Sequence, residues 1–148
     1  MNTIRIQSDD FDISAEIAHL KQSGDAGAVV TFTGSVRHDG DIQSLTLEHY
    51  PGMIEREIAR HVQEARARWP LLGVTIIHRI GKLAPGDGIV LVAVASTHRQ
   101  VAFAAAEFLM DYLKTRAPFW KSEDRAGSAE WVEARDADEA AASRWREG

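Results

Sequence analysis

The feature that most constrains this fold is an apolar run of helical character that is forced to stop. Residues 101–113 form the run, and Lys114 follows directly. Pro118 prevents the helix from continuing, because proline has no N–H to donate and its ring clashes with the preceding turn. The sequence therefore predicts a long helix over residues 98–116 and a sharp change of direction after it.

The segment that follows this helix carries three cations beside two aromatic residues. Arg116 lies between Lys114 and Lys121, and Phe119 and Trp120 supply an apolar anchor just before the second lysine. A solvated run of charge needs neither a helix end nor buried aromatic surface. The pattern predicts that the three cations lie close together and form a site.

The remaining hydrophobic pattern alternates between strand-like and helix-like segments. Strands are predicted around residues 4–6, 28–36, 45–47, 74–80, 89–96 and 130–133, and further helices over 13–20, 54–69 and 138–146. Several strands form adjacent pairs, with a turn at residues 85–88 between two of them. We expect one α+β domain over residues 1–148, with a mainly antiparallel sheet packed by helices.

Composition excludes several functional classes. The chain of 148 residues has no cysteine and a net charge of −5, so disulfides, thiolate nucleophiles and cysteine-based zinc sites are excluded. The acidic balance argues against binding to nucleic acid or to an anionic membrane. The first residues do not resemble a signal peptide, and no apolar run is long enough to span a bilayer, so a cytoplasmic protein is expected.

Two further groups of residues suggest anion binding. Thr97 and Gln100 match a capping box, which would place His98 and Arg99 in the first helical turn. Cations there oppose the helix dipole, and a bound anion would relieve the conflict. The alternative is that Arg99 points to solvent and pairs with an acid.

Gly34 and Arg37 form the second group, at the end of a predicted strand. Glycine allows a ligand or another backbone to approach closely, and Arg37 offers a bidentate fork to phosphate or carboxylate. A strand bulge followed by an exposed arginine explains the same residues, and is favoured when this segment is taken alone.

Lys114 and Lys121 suggest acid–base or nucleophilic chemistry. A lysine is a poor base at its ordinary pKa of ~10.4, but burial near other cations disfavours the charged form and lowers that pKa. One lysine could then react while the others hold an anion. Lys114 is also explained as a cation that complements a helix C-terminus, whereas Lys121 has no such explanation.

Several weaker signals favour structural roles. Residues 81–88 lack the lysine of a phosphate-binding loop and favour a hairpin turn. The histidines show no metal-ligand spacing, so no metal site is expected, and His49, His61 and His78 are interpreted as structural or surface residues. Ser35 has no evident base partner.

Five blocks of sequence are distributed along nearly the whole chain: AVVTFTG at residues 28–34, LTLEHYPGM at 45–53, IHRIG at 77–81, YLKTRAPFWK at 112–121 and WVEAR at 131–135. Together, and in this order, they resemble the large, catalytic subunit of molybdopterin synthase. The resemblance implies an α/β-hammerhead type of α+β fold. It also implies a homodimer at the centre of a heterotetramer, with a small ubiquitin-like sulfur-carrier subunit at each end.

The resemblance implies a sulfurtransferase reaction in molybdenum cofactor biosynthesis. Sulfur from the C-terminal thiocarboxylate of the small subunit is added to cyclic pyranopterin monophosphate, giving the dithiolene of molybdopterin, and no cofactor or metal is required. A chain without thiols fits this chemistry, because the sulfur arrives on a partner.

The resemblance also assigns candidate site residues. Lys114 and Lys121 are the catalytic candidates, and the pterin phosphate site is lined by these lysines together with Ser35, Val36, Arg37, His98, Arg99, Ser122 and Glu123. The family often has lysine where this chain has Ser35, and the loop at residues 37–41 is short. These departures affect substrate contacts rather than the reaction class.

Two other functions account for the same cations. One is a non-catalytic module that docks an acidic C-terminal tail in the cationic cleft. The other is an unrelated enzyme for a phosphate ligand that uses a lysine base and needs no protein partner.

Overall fold

Strands and helices alternate along the chain in the computed structural model, which describes residues 1–22, 24–38, 40–117, 119–125, 128–131 and 145. These residues form eight strands and three helices. In chain order they are β1 (Asn2–Gln7), α1 (Ile13–Leu20), β2 (Ala28–Ser35), β3 (Ile42–Glu48), α2 (Met53–Arg68), β4 (Gly73–Arg79), β5 (Gly81–Leu83), β6 (Gly88–Ser96), α3 (Arg99–Thr115), β7 (Trp120–Arg125) and β8 (Ser128–Trp131).

The strands form two four-stranded sheets. Sheet A has the order β1-β4-β6-β2 and sheet B the order β5-β3-β7-β8. Strand β1 runs parallel to β4, and every other pair among the described strands is antiparallel. The predicted α+β class with a mainly antiparallel sheet is confirmed.

Sheet A is covered on both faces, which explains the uninterrupted apolar sequence of β6. Successive side chains of a strand point to opposite faces, so a central strand covered on both sides is apolar at every position. One face packs against α2 and α3 through residues 74, 76, 90, 92 and 94. The other face packs against α1 through residues 77, 91, 93 and 95, together with Leu20.

Sheet B has a smaller core of its own. Leu45 and Leu47 of β3 pack with Leu83 of β5 and with Val36, which follows β2. Val36 therefore links the end of a sheet A strand to the core of sheet B. Its N–H donates to the carbonyl of Asp87 at 2.9 Å, which secures the connection.

Local sequence explains where α1 and α2 begin. Asp12 caps α1, since its carboxylate accepts the N–H of Ala15 at 3.1 Å. Helix α2 follows Gly52, whose φ of 84° lies in the left-handed region that glycine adopts without strain.

No helix in the described part of the chain is long and apolar enough to cross a membrane.

The capping box predicted for α3 is wrong. The helix begins at Arg99, and its N-cap is His98, whose side chain makes no capping hydrogen bond. Thr97 is instead packed against Gly27, where an added Cβ would lie 2.1 Å from the Thr97 carbonyl oxygen. This contact fixes the start of α3 beside the start of β2 and moves the helix boundary one residue along the chain.

Two of the observed strands were not predicted, and one predicted helix lies almost entirely outside the described residues. Strand β5 has three residues, and the polar β7 sequence WKSEDR lacks alternation. Both pair with β3, so the partner strand determines their structure. Strand β8 overlaps the strand predicted at residues 130–133, whereas residues 132–133 and, apart from Trp145, the helix predicted at 138–146 lie outside the described residues.

Candidate active site

The end of α3 and the start of β7 carry the two lysines. Lys114 lies in the last helical turn and is exposed, and Lys121 is half-buried as the second residue of β7. The N–H groups of Arg116 and Ala117 both donate to the carbonyl of Tyr112, at 2.7 and 3.1 Å, and these bonds close the helix. The expected turn is present, but the expected burial applies to Lys121 and not to Lys114.

The segment between the lysines is anchored on a buried histidine. The ring of Phe119 stacks on His78 with centroids 3.8 Å apart and planes inclined by 16°. His78 lies near the C-terminal end of β4 and is 6 % exposed. Its Nδ1 lies 2.8 Å from the carbonyl oxygen of Arg79. A carbonyl can only accept, so Nδ1 carries the proton and Nε2 is the unprotonated nitrogen.

The charges of both lysines affect the protonation of this imidazole. Burial is the main cause that lowers the pKa of His78 to about 4, and the hydrogen bond to Arg79 opposes the shift. The positive charges of Lys121 and Lys114 each lower this pKa further. Both ammonium groups therefore act on one neutral ring.

A second histidine extends the cluster. His49 follows β3, and its ring centroid lies 6.4 Å from that of Phe119. Its Nε2 lies 3.6 Å from a carboxylate oxygen of Glu55 on α2. The other oxygen of Glu55 is buried and has no hydrogen-bond partner among the described residues.

Sequence reasoning had interpreted His49 and His78 as structural or surface residues, and the structure places both beside the lysine segment. A usable signal was present for His78. Residues 74, 76 and 78 alternate along one strand, so His78 shares the sheet face on which α2 and α3 pack. A polar residue at the end of such a buried series is unusual.

The segment Ser35–Val36–Arg37 lies at the same end of sheet A. The pairing register of β2 with β6 shifts between Gly34 and Ser35, which is the bulge that the sequence suggested. Ser35 and Arg37 are exposed. Val36 is buried, and its N–H and C=O groups both bond to the turn at residues 86–87, so it supports its neighbours and has no free polar group.

Ser122 and Glu123 continue β7 beside Lys121. Lys121 pairs with Leu47, Ser122 with Thr46 and Glu123 with Leu45. Because side chains alternate along a strand, Lys121 and Glu123 share the face of sheet B that carries the small core, and Ser122 points to the opposite face. The strand thus brings Glu123 to the side of the lysine and separates Ser122 from it.

His98 and Arg99 lie at the other end of the molecule. Fifteen residues of α3 separate Arg99 from Lys114, a rise of about 22 Å. The start of α3 is held beside the start of β2, whereas Ser35 ends that strand, about 23 Å away. Within one chain, the structure does not bring His98 and Arg99 to the lysines or to Arg37.

A separate groove lies between α2 and α3. Tyr112 lines it and stacks on His61 of α2, with ring centroids 3.4 Å apart. Tyr112 precedes Lys114 by two residues, so the two side chains lie on roughly opposite sides of the helix. The groove has a volume of about 570 Å³ and is lined by Glu57, Arg60, His61, Glu64, Arg68, Phe108, Tyr112, Arg116 and Trp145. Arg116 therefore faces this groove, whereas neither Lys114 nor Lys121 lines it, so the prediction that the three cations form one site does not hold for Arg116.

Metal chemistry has no visible support in the described part of the chain. No group of three histidine, aspartate or glutamate side chains there could hold a metal ion. The positive charges of Lys114 and Lys121 near the uncharged His78 suit an anion.

Known proteins share both the sequence and the fold. Residues 6–116 match the family described as MoaE protein. A "Molybdopterin synthase catalytic subunit" of Mesorhizobium japonicum is 59% identical, over 97% of this chain and 93% of that protein. The structure "Molybdopterin biosynthesis MoaE protein" from Burkholderia ambifaria is 50% identical, with a TM-score of 0.85 over 98% of each chain. A Helicobacter pylori structure is titled as a complex of subunits 1 and 2 of molybdopterin-converting factor. It is 20% identical, with a TM-score of 0.72 over 90% of this chain and 91% of that chain. At this identity the likeness shows the fold alone.

Proposed function

Because the chain belongs to the MoaE protein family, we propose that it is the catalytic subunit of a molybdopterin synthase. It transfers sulfur from the C-terminal thiocarboxylate of a small ubiquitin-like subunit to cyclic pyranopterin monophosphate, forming the dithiolene of molybdopterin. One observation carries the proposal: the connection between Lys114 and Lys121 stacks, through Phe119, on the buried His78 in a chain that has no thiol. The reactive sulfur must therefore arrive on a partner.

The two lysines suit the charges of both reactants. A thiocarboxylate and a phosphate are anions, and cations beside buried aromatic surface attract them more strongly than cations in open water do. We assign Lys114 and Lys121 to assisting the attack of sulfur on the pterin and the release of the carrier. Arg37 lies at the same end of sheet A and is exposed, which supports our proposal that it binds the phosphate.

The proposed reaction needs no metal and no resident cofactor. Sulfur enters with the carrier, and the charges that develop during transfer are met by the ammonium groups. A cysteine-free chain is also suited to the reducing cytoplasm, which is the location we propose. The Helicobacter pylori structure is titled as a two-subunit complex, and this agrees with a small partner subunit.

A second copy of the chain would explain how His98 and Arg99 reach a phosphate site. The outer stripe of α3 includes Arg99, Phe103, Glu107 and Lys114, which recur at helical spacing and are all exposed. Phe103 is 61% exposed, which is unusual for a large apolar side chain unless a partner covers it. If two α3 helices pack antiparallel about a twofold axis, Arg99 of one copy lies opposite Lys114 of the other. We therefore propose a homodimer that completes each phosphate site, with one small subunit at each end of the resulting heterotetramer.

The activity is tested by reconstitution with a thiocarboxylated small subunit and cyclic pyranopterin monophosphate. We expect the wild-type chain to form molybdopterin and Lys114→Ala to form none, while the variant retains its fold and its binding of the small subunit. Failure of the wild-type mixture to transfer sulfur would favour a non-catalytic docking module. Turnover without any small subunit would favour an unrelated phosphate enzyme.

Complementation between variants tests the shared site. Lys114→Ala and Arg99→Ala chains are mixed under conditions that exchange subunits. Each hybrid dimer then has one intact site and one doubly altered site. Because half of randomly exchanged dimers are hybrids, we expect roughly a quarter of the wild-type activity to return. No recovery on verified exchange would show that Arg99 acts within its own chain, and full activity of Arg99→Ala alone would show that it does not act at all.

A further inference from the structure

The His78–Phe119 stack involves a residue that lies between the two lysines in the sequence, and it has no assigned role in the reaction. Phe119 belongs to the connection that leaves α3 after Lys114 and enters β7 before Lys121. Its ring rests on an imidazole that is fixed by its own hydrogen bond to the carbonyl of Arg79. The position of this connection therefore depends on a residue of sheet A, His78, which precedes Phe119 by 41 positions in the chain.

We propose that His78 is a positioning residue, which sets the placement of Lys114 and Lys121 for sulfur transfer by stacking, uncharged, on Phe119. This inference rests on the proposed function, and it adds a residue outside the reacting groups. His78 acts through Phe119 and need not touch either reactant.

The neutral state of the ring is part of the argument. Three groups from separate elements act on the charge state of this ring: Lys121 from β7, Lys114 from α3, and His49 from the connection between β3 and α2. Each of them, when charged, disfavours a proton on His78. A protonated ring would repel both ammonium groups, whereas a neutral aromatic ring supplies apolar surface without charge.

Two substitutions separate stacking from hydrogen bonding. His78→Phe keeps an uncharged ring that can stack on Phe119 and removes both ring nitrogens. His78→Gln keeps a donor for the Arg79 carbonyl and removes the ring. If stacking positions the lysines, we expect the phenylalanine variant to stay within about threefold of the wild-type kcat and the glutamine variant to lose at least about tenfold. KM for the small subunit should change little in either variant.

His61 provides a matched control. It is half-buried, whereas His78 is buried, but it too stacks on an aromatic ring, that of Tyr112, and its Nδ1 too bonds to a backbone carbonyl, that of Glu57, at 3.0 Å. It lies on the groove side of α3, away from Lys114. His61→Phe and His61→Gln should therefore leave kcat near the wild-type value.

A readout that does not depend on turnover completes the test. The lysines are labelled by reductive ¹³C-methylation, and the signals of Lys114 and Lys121 are assigned with Lys→Arg variants. We expect His78→Gln to shift both signals, His78→Phe to shift them much less, and the His61 variants to leave them in place. A folded His78→Gln variant with wild-type kcat and unmoved signals would overturn the proposal, as would equal loss in both His78 variants. An inactive wild-type enzyme would instead reject the proposed function, and the NMR signals would still decide the role of His78.

Discussion

Acidification should destabilise this protein through His78, and the structure sets the size of the effect. The folded-state pKa is about 4, whereas an exposed histidine in the unfolded chain titrates near ~6.5. The unfolded state therefore binds a proton over a pH range in which the folded state does not. Stability is fully present above the unfolded pKa and falls as the pH drops from ~6.5 toward 4.

The expected loss follows from the difference of 2.5 pKa units. At about 1.36 kcal/mol per unit, His78 contributes a total loss of about 3.4 kcal/mol by the time both states are protonated. At pH 5 the same linkage gives a loss of about 2 kcal/mol relative to pH 7.5. With a urea m-value of about 2 kcal/mol/M, that loss lowers the unfolding midpoint by about 1 M.

The assay compares urea unfolding of the wild type and His78→Phe at pH 7.5, 6 and 5, at one fixed protein concentration. The phenylalanine variant cannot titrate at this position, so the difference between the two proteins isolates His78 from His61 and every other group. We expect the wild type to lose about 2 kcal/mol more than the variant between pH 7.5 and pH 5. A difference that stays constant over this range would refute the reasoning, since it would mean that position 78 takes up a proton equally well in both states. Two-dimensional NMR of the imidazole nitrogens gives an independent check of the Nδ1–H form.

Three further outcomes are expected. Leu47→Ala should lower the free energy of unfolding by about 2–5 kcal/mol in urea titrations, because Leu47 is fully buried in the sheet B core; a loss below 1 kcal/mol would contradict this packing. Gly27→Ala should destabilise by about 1–3 kcal/mol in the same assay, because the new Cβ would meet the Thr97 carbonyl oxygen at 2.1 Å; an unchanged midpoint would mean that this contact relaxes freely. Phe103→Glu should convert the proposed dimer to a monomer in sedimentation velocity runs and abolish molybdopterin formation, since a charged carboxylate would replace the apolar side chain at the proposed interface and would lose its hydration there; a fully active dimer would exclude α3 as the interface.

The sequence predicted those elements whose structure is determined by nearby residues. The apolar run before Lys114 produced α3, and the apolar pattern of residues 89–96 produced the central strand of sheet A. The turn between the lysines followed from the same local rules. A helix stop and a buried strand need no information from distant parts of the chain.

The features that could not be predicted depend on distant partners. Strand β7 is polar, and it is a strand because β3 lies beside it. His78 belongs to the lysine segment because Phe119, 41 residues later, folds onto it. The family resemblance grouped His98 and Arg99 with Arg37, although the length of α3 places them at the opposite end of a single chain. A short stretch of sequence does not show which distant residues will pair, stack or lie far apart.

Lys114 and Lys121 also belong to different hydrogen-bonded layers. The first is carried by a helix that packs on sheet A, and the second by a strand of sheet B. The distance between their ammonium groups therefore depends on how the two sheets are positioned relative to each other, and it changes if one layer slides over the other. On gentle heating, activity should decrease before the circular dichroism signal of the helices decreases. A small displacement between the layers would separate the two lysine side chains while each layer stays folded.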